Sequence, residues 1–81
     1  MKKYEIMVDA YGTRRSKCFH KVVEAENEQA AEKYADRWCD LLQGNNYEFY
    51  EWDTTGIEEY TGAEHEVGDY WEDEIEHDKN H

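Results

Sequence analysis

The sequence predicts an α+β fold, in which a small antiparallel sheet of three to four strands carries one helix on one face, in the order ββαβ(β). Three observations lead to this prediction. Apolar and polar residues alternate in two separate stretches within the first 25 residues. After residue 27 the apolar residues recur with a helical period, and alternation returns in an aromatic-rich stretch after residue 46. With 81 residues, the chain forms one small domain at most.

The first two elements are predicted to form a β-hairpin. Residues 4–11 alternate between an apolar face that includes Tyr4, Ile6 and Val8 and a more polar face. Residues 17–25 form the returning strand, and the short polar turn between the two strands predicts a hairpin. The more polar face of the first strand consists of Glu5, Met7, Asp9 and Tyr11.

The third element is predicted to be an amphipathic helix. Asn27 is the expected N-cap, and Glu28 in the first turn suits the helix dipole. Gly44 is expected to follow the last helical residue, because glycine often occupies this position. The residues that share the apolar face are Ala31, Tyr34, Ala35, Trp38, Leu41 and Leu42.

The second half of the chain gives a weaker pattern. Residues 47–52 are predicted to form a third strand, residues 53–56 a turn, and residues 57–61 a short fourth strand. Residues 67–75 fit either an added strand or a helical turn.

We therefore divide the chain into an α+β domain, residues 1–62, and an acidic C-terminal extension, residues 63–81. Residues 76–81 are expected to fray. The rest of the extension is expected to pack on the domain in part, through its few apolar side chains, Val67, Tyr70, Trp71 and Ile75.

The whole net charge of −12 lies in the second half of the chain. Residues 1–40 carry eight acids and eight bases, whereas residues 41–81 carry thirteen acids and one base, Lys79. Such a charge disfavours direct binding to nucleic acid or to an anionic membrane. It favours a basic partner, and in a cell most basic proteins handle nucleic acid.

Carboxylates on strands have a spacing that suits such a partner. Strand residues two positions apart lie ~6.6 Å apart on one face, and successive phosphates of one DNA strand lie on the order of 6–7 Å apart. This spacing recurs at Glu51 and Asp53, at Glu64 and Glu66, and at Glu72, Glu74 and Glu76. The predicted partner-binding residues are Glu48, Glu51, Asp53, Glu58, Glu59, Glu64, Glu66, Asp69, Glu72, Asp73, Glu74 and Glu76, with the aromatic residues Tyr50, Trp52, Tyr70 and Trp71.

Part of the chain resembles a known family. Residues 2–6, followed by Val-Val-Glu-Ala-Glu-Asn-Glu-Gln-Ala-Ala-Glu-Lys at residues 22–33, resemble the DpnD/PcfM-like proteins of phages and mobile elements. Those chains run from a strand into V-x-A-x-[ND]-E-x-x-A and then a helix, and the resemblance covers roughly half of this chain.

In size, charge and fold class the chain is also similar to phage-encoded anti-defence proteins, which include anti-CRISPR inhibitors and anti-restriction DNA mimics. This resemblance implies an inhibitor that binds a CRISPR effector, or a restriction enzyme as the second choice, and blocks its access to DNA.

Three alternatives stay open. The chain could be a small accessory or structural protein of a mobile element, without mimicry. It could bind a metal through His65, Glu66 and Asp69 or through the terminal group His77, Asp78 and His81, although neither a zinc nor a calcium motif is present. It could also form a homodimer, if the basic hairpin residues of one copy met the acidic face of another: Arg14, Arg15, Lys17 and Lys21.

Catalytic motifs are missing, so we predict neither an enzyme nor a cofactor. Ser16 is the only serine and follows no nucleophile pattern. Cys18 and His20 lie two apart on a strand and could be a nucleophile and a base, but no third group is evident. Cys18 and Cys39 do not make a disulfide framework and are expected to be small buried residues.

No apolar run reaches the ~20 residues of a membrane span, and the first residues lack the pattern of a signal peptide. We therefore expect the protein to be located in the cytoplasm of a host bacterium.

Overall fold

Four antiparallel strands and one helix make up residues 1–76, the part of the chain that the computed structural model describes. This confirms the predicted α+β fold and its sheet of four strands. The elements are β1 (Lys2–Gly12), β2 (Arg15–Ala25), α1 (Glu28–Asn45), β3 (Phe49–Glu59) and β4 (Tyr70–Glu76). The strand order across the sheet is β3-β1-β2-β4. We call the face that α1 covers the helix side and the opposite face the open face.

The hairpin of β1 and β2 fixes which side chains form the core. Val8 pairs with Phe19 and Tyr4 pairs with Val23, so the apolar residues of both strands point to the helix side. The alternation predicted from the sequence is therefore confirmed. The core on the helix side consists of Tyr4, Ile6, Val8, Ala10, Phe19, Val23, Ala25, Ala31, Ala35, Trp38, Cys39 and Phe49.

The helix begins where the sequence predicts. The side chain of Asn27 accepts a hydrogen bond from the backbone N–H of Ala30 at 2.9 Å, as an N-cap does. Tyr34 and Leu41 were expected in the core, but both are exposed, and Leu41 keeps 66% of its surface. Within residues 1–76, no helix is long and apolar enough to cross a membrane.

The helix ends later than predicted. It continues through Gly44 to Asn45, and two asparagine side chains donate hydrogen bonds to carbonyl groups of its last turns. The Asn45 amide donates to the carbonyl of Leu41 at 3.0 Å, and the Asn46 amide donates to that of Leu42 at 2.9 Å. The predicted glycine stop is therefore wrong: Gly44 lies inside the helix and does not adopt the left-handed conformation of a terminating glycine.

The predicted turn at residues 53–56 is wrong, because these residues lie inside one continuous strand, β3. Met7 pairs with Gly56, but the next residue of β1 pairs with Thr54, which leaves Thr55 without a partner in the register. This is a β-bulge, in which one extra residue bends a strand without ending it. The residues typical of a turn mark the bulge, and pairing with β1 continues on both sides of it.

Of the two alternatives for residues 67–75, the structure has the strand. Tyr70–Glu76 forms β4, which pairs with β2 at an edge of the sheet. Tyr70 packs against Phe19, and the ring of Trp71 stacks on His20. Val67 and Ile75, the other two expected anchors, are exposed.

Residues 60–69, here called the crossing segment, join β3 at one edge of the sheet to β4 at the other. The backbone N–H of Tyr60 donates to the carbonyl of Lys3 at 2.8 Å, and the ring of His65 stacks on Trp71 with centroids 3.9 Å apart. Trp71 lies on the open face, so the segment crosses that face. Val22 points to the same face and is fully buried.

Charged side chains hold β4 to β2 on the helix side. The ammonium of Lys17 lies 2.9 Å from Glu72 and 3.9 Å from Glu74, and the guanidinium of Arg15 lies 2.8 Å from Glu74. The Tyr70 hydroxyl, followed by Lys17, lowers the pKa of Glu72 below its ordinary value. The stabilisation from this carboxylate is therefore complete above the ordinary glutamate pKa and is lost as the pH falls through the lowered one.

Replacing Lys17 with glutamine is expected to weaken the attachment of β4 by about 1 kcal/mol, because two partly exposed ion pairs are lost. Amide hydrogen exchange of β4 should become roughly fivefold faster, while exchange of α1 stays the same. Lys33→Gln is the matched control, since it removes an equal charge from an exposed position of α1. Equal acceleration of β4 in both variants would contradict this account.

Candidate partner-binding surface

Carboxylates of two neighbouring strands face each other on the open face. Glu58 of β3 lies directly opposite Glu5 of β1, and Asp53 lies directly opposite Asp9. Like charges in such positions destabilise a sheet. Glu51 extends the group along β3, opposite Tyr11. The sheet thus holds five carboxylates close together on one face.

The cations of the sheet lie almost entirely on the other side. Alternation along β2 points Arg15, Lys17 and Lys21 to the helix side, where the first two pair with acids. On the open face of the four strands, the only lysine or arginine among residues 1–76 is Lys3, which lies at one end opposite Glu24. Within that part of the chain, no lysine or arginine forms an ion pair with four of the open-face acids: Asp9, Glu51, Asp53 and Glu58.

The clustered negative charge affects the pKa of the Tyr11 hydroxyl. Its hydroxyl donates to the carboxylate of Asp9 at 3.3 Å. The negative charge of Asp9, with smaller contributions from Asp53 and Glu51, raises the pKa of Tyr11 above its ordinary value. Three carboxylates therefore surround one phenol ring at the hairpin end of the open face.

At the middle of the open face, His20 joins three strands. Its Nδ1 lies 3.0 Å from Glu5 of β1, and its Nε2 lies 2.9 Å from Asp73 of β4. Both nitrogens donate only when the ring carries two protons. The ring also stacks on Trp71, which stacks on His65, so this half of the face is covered by rings and by the crossing segment.

Cys18 lies on this face too, half-buried, and not in the core as expected, whereas Cys39 is in the core. Burial, followed by the neighbouring carboxylate of Asp9, raises the pKa of the Cys18 thiol to about 12. Because the thiolate is the reactive form, Cys18 is a poor nucleophile at neutral pH. Both nitrogens of His20 face carboxylates, so neither is directed at the thiol as a free base.

The structure distributes the predicted partner-binding residues over several surfaces. On the open face lie Glu51, Asp53, Glu58, Trp71 and Asp73. On the helix side lie Trp52, Glu59, Tyr70, Glu72, Glu74 and Glu76. In connecting segments lie Glu48, Glu64, Glu66 and Asp69. Tyr50 occupies a second irregularity of β3 and keeps 71% of its surface exposed.

Several of these residues have partners inside the chain. Glu72 and Glu74 pair with the cations of β2, and Glu48 lies 2.5 Å from Arg15. Glu64 and Glu66 lie outside the strands, so the strand spacing predicted for them does not apply. The ring of Trp52 packs on those of Phe19 and Phe49.

Three residues of the open-face acidic cluster were not among those predicted from the sequence: Glu5, Asp9 and Tyr11. They lie in the charge-balanced half of the chain, where net charge gives no signal. The alternation of β1 already placed them together on its polar face. The available signal was therefore the strand period, followed across to the neighbouring strand.

Within residues 1–76, the structure has neither a preformed metal site nor a fully unpaired basic hairpin that could contact a second copy of the chain. Among residues 1–76, no group of three or more His, Cys, Asp or Glu side chains is arranged to hold a metal ion. His65 lies 3.8 Å from Asp69 and stacks on Trp71. The terminal group of His77, Asp78 and His81 lies outside the described residues. Of the basic hairpin residues, Arg15 and Lys17 already pair with acids of the same chain.

Replacing Asp53 with asparagine is expected to raise the free energy of unfolding by roughly 0.5 kcal/mol, because it relieves repulsion from Asp9 across the strands. Glu24→Gln is the matched control: it removes the same charge, but from a position opposite Lys3, where the charge is favourable. Urea denaturation should show stabilisation by the first change only. Equal stabilisation by both changes would mean that net charge alone matters.

Comparison of this chain with protein-family models, with curated proteins and with solved structures finds no match.

Proposed function

We propose that this protein is an inhibitor of the phage type, which binds a basic, nucleic-acid-handling protein through its open face. The favoured target is a CRISPR effector, and the second choice is a restriction enzyme. In this proposal the carboxylates occupy cationic positions that would otherwise hold DNA phosphates, so that DNA access is blocked.

The observation that carries the proposal is the unequal pairing of acids on the two sides of the sheet. Acids on the helix side pair with Arg15 and Lys17, whereas those on the open face form no ion pair with lysine or arginine within residues 1–76, and some lie opposite each other. Such an arrangement costs stability in the free protein. A basic partner relieves that cost on binding.

The spacing on the open face supports the same proposal. Glu51 and Asp53 are two residues apart on one strand, or ~6.6 Å, and Asp9 lies on the neighbouring strand ~4.8 Å away. The lysine and arginine side chains of a protein that binds DNA phosphates can therefore contact carboxylates at these separations. Tyr11 and Tyr50, beside the acids, offer rings for contact with arginine.

The proposal is tested by passing purified CRISPR effectors and restriction enzymes, one at a time, over the immobilised full chain and eluting with a salt gradient. We expect one class of these proteins to be retained at low salt and released at moderate salt, because the contacts are between exposed charges. Bovine albumin, an acidic protein, serves as the negative control.

Retention of none of these proteins would contradict the proposal. It would favour the alternative of an accessory protein without mimicry. Retention that does not weaken with salt would also count against an electrostatic interface, since mimicry of phosphates requires steep salt dependence.

A further inference from the structure

A small apolar groove lies on the helix side of the molecule, between α1 and β2. It has a volume of about 240 Å³, and its walls are mainly apolar. The groove is smaller than the typical site for a drug-sized ligand, about 300–1,000 Å³. Its size therefore suits a single bulky side chain. The lining residues are Lys21, Tyr34, Arg37, Trp38 and Leu41.

The groove is built from side chains that the helical pattern assigns to the core. Tyr34 and Leu41 belong to the apolar stripe of α1, yet both remain exposed. Trp38 is the most buried of the lining residues, and its ring meets that of Tyr70 of β4 in a T-shaped contact with centroids 6.0 Å apart. The result is an apolar depression open to solvent.

Two of the lining residues, Lys21 and Arg37, are cationic, although the net charge of the chain is −12. The ammonium of Lys21 lies 5.3 Å from the centroid of the Tyr34 ring and 5.8 Å from that of the Trp38 ring, and it donates to the Tyr34 hydroxyl at 3.0 Å. Among residues 1–76, neither Lys21 nor Arg37 forms an ion pair with an acid. The positive charge at the groove is therefore not neutralised within this part of the chain.

We propose that this groove binds an acidic peptide segment of a partner protein, through one bulky apolar side chain flanked by carboxylates. The apolar side chain packs on Trp38 and Leu41, and the carboxylates meet Arg37 and Lys21. Charge complementarity selects an acidic segment over a basic one. Tyrosine, tryptophan and arginine, which meet here, are also the residues most enriched among those that dominate binding energy at protein interfaces.

This site is independent of the proposed inhibitor function. The groove lies on the helix side and is cationic, whereas the open face lies on the other side of the sheet and is anionic. One chain can therefore hold a basic partner on one side and an acidic segment on the other.

The test is a titration of the ¹⁵N-labelled full chain with the blocked peptide Asp-Glu-Asp-Leu-Glu-Asp-Glu, followed by two-dimensional NMR. We expect saturable shifts of the Trp38 indole N–H and the Leu41 amide, with little change at Trp71. Two control peptides are the same sequence with serine for leucine and the same sequence with lysine for every acid. Both control peptides should bind at least about tenfold more weakly than the acidic peptide, because each lacks one of the two required contacts.

Arg37→Glu is expected to weaken binding of the acidic peptide by about tenfold or more. Arg14→Glu is the matched control, with the same charge change in the exposed hairpin turn outside the groove, and should bind nearly as the wild type does. Leu41→Ser provides a second, uncharged change at the groove and should also weaken binding. Absence of saturable shifts, equal binding of the lysine peptide, or unchanged binding by both groove variants would overturn the proposal.

Discussion

Replacing Trp52 with alanine is expected to lower the free energy of unfolding by about 2–3 kcal/mol. The sequence suggested that this ring belongs to the partner-binding surface. In the structure it stacks on Phe19 with centroids 5.7 Å apart and meets Phe49 edge-on at 5.9 Å. Its indole N–H donates to the carbonyl of Phe49 at 3.3 Å. Removing the ring leaves a gap beside the core and one carbonyl without this donor.

Tyr50→Ala is the matched control, because Tyr50 lies two residues earlier on the same strand and keeps most of its surface exposed. Its loss should change stability by less than about 0.5 kcal/mol. Urea denaturation followed by far-ultraviolet circular dichroism compares the two. If Trp52→Ala proved as mild as Tyr50→Ala, Trp52 would not be part of the core and would return to the candidate binding surface.

The second large effect is expected from neutralising the hairpin end of the open face. The triple variant Asp9→Asn, Glu51→Gln and Asp53→Asn should bind the target about a hundredfold more weakly, because three ion pairs between partly exposed charges, each worth up to about 1 kcal/mol, are lost from the interface. Its affinity should also depend less on salt. The fold should persist, since repulsion between these acids is removed.

A control triple on α1 separates position from net charge. Glu32→Gln, Asp36→Asn and Asp40→Asn remove the same number of charges from exposed helix positions. This variant should lose little affinity, since long-range steering alone is screened at physiological salt. Equal losses in both triples would show that the partner responds to total charge and not to the open face.

The sequence was sufficient for the parts of the fold that depend on local patterns. Alternation along β1 and β2 and the cap at Asn27 are such patterns, because strand faces and helix starts are set by residues close in sequence. The bulge at Thr55 was not predictable in this way. It depends on pairing with β1, and the same residue types also favour a turn.

The candidate surface was predicted only in part, for a related reason. Charge counting identified the acidic half of the chain but could not show which acids have a cation beside them. Glu72 and Asp53 are similar in sequence context. Glu72, however, forms an ion pair with Lys17, which is far away in sequence, whereas Asp53 lies opposite Asp9. That difference arises from strand order, which brings β4 next to β2 and β3 next to β1.

The arrangement also explains how so acidic a chain can keep β4 in place. Four of its seven residues are acids, and their neighbours on β2 include Arg15, Lys17 and His20. Opposite charges across an edge pair stabilise it, whereas a second copy of β4 at the free edge would be repelled. Alternation along β2 points Arg15, Lys17 and Lys21 to the helix side, so none of these cations faces the acids of the open face.

The measurement that tests the central claim most directly is a competition between this chain and duplex DNA for the retained effector. The binding of labelled duplex by the effector is followed by fluorescence anisotropy at several fixed DNA concentrations. If carboxylates of the open face occupy the phosphate positions, the concentration of chain that halves DNA binding rises linearly with the DNA concentration. The open-face triple variant should raise that halving concentration about a hundredfold. A halving concentration that does not depend on DNA, or that the open-face triple leaves unchanged, would contradict the account.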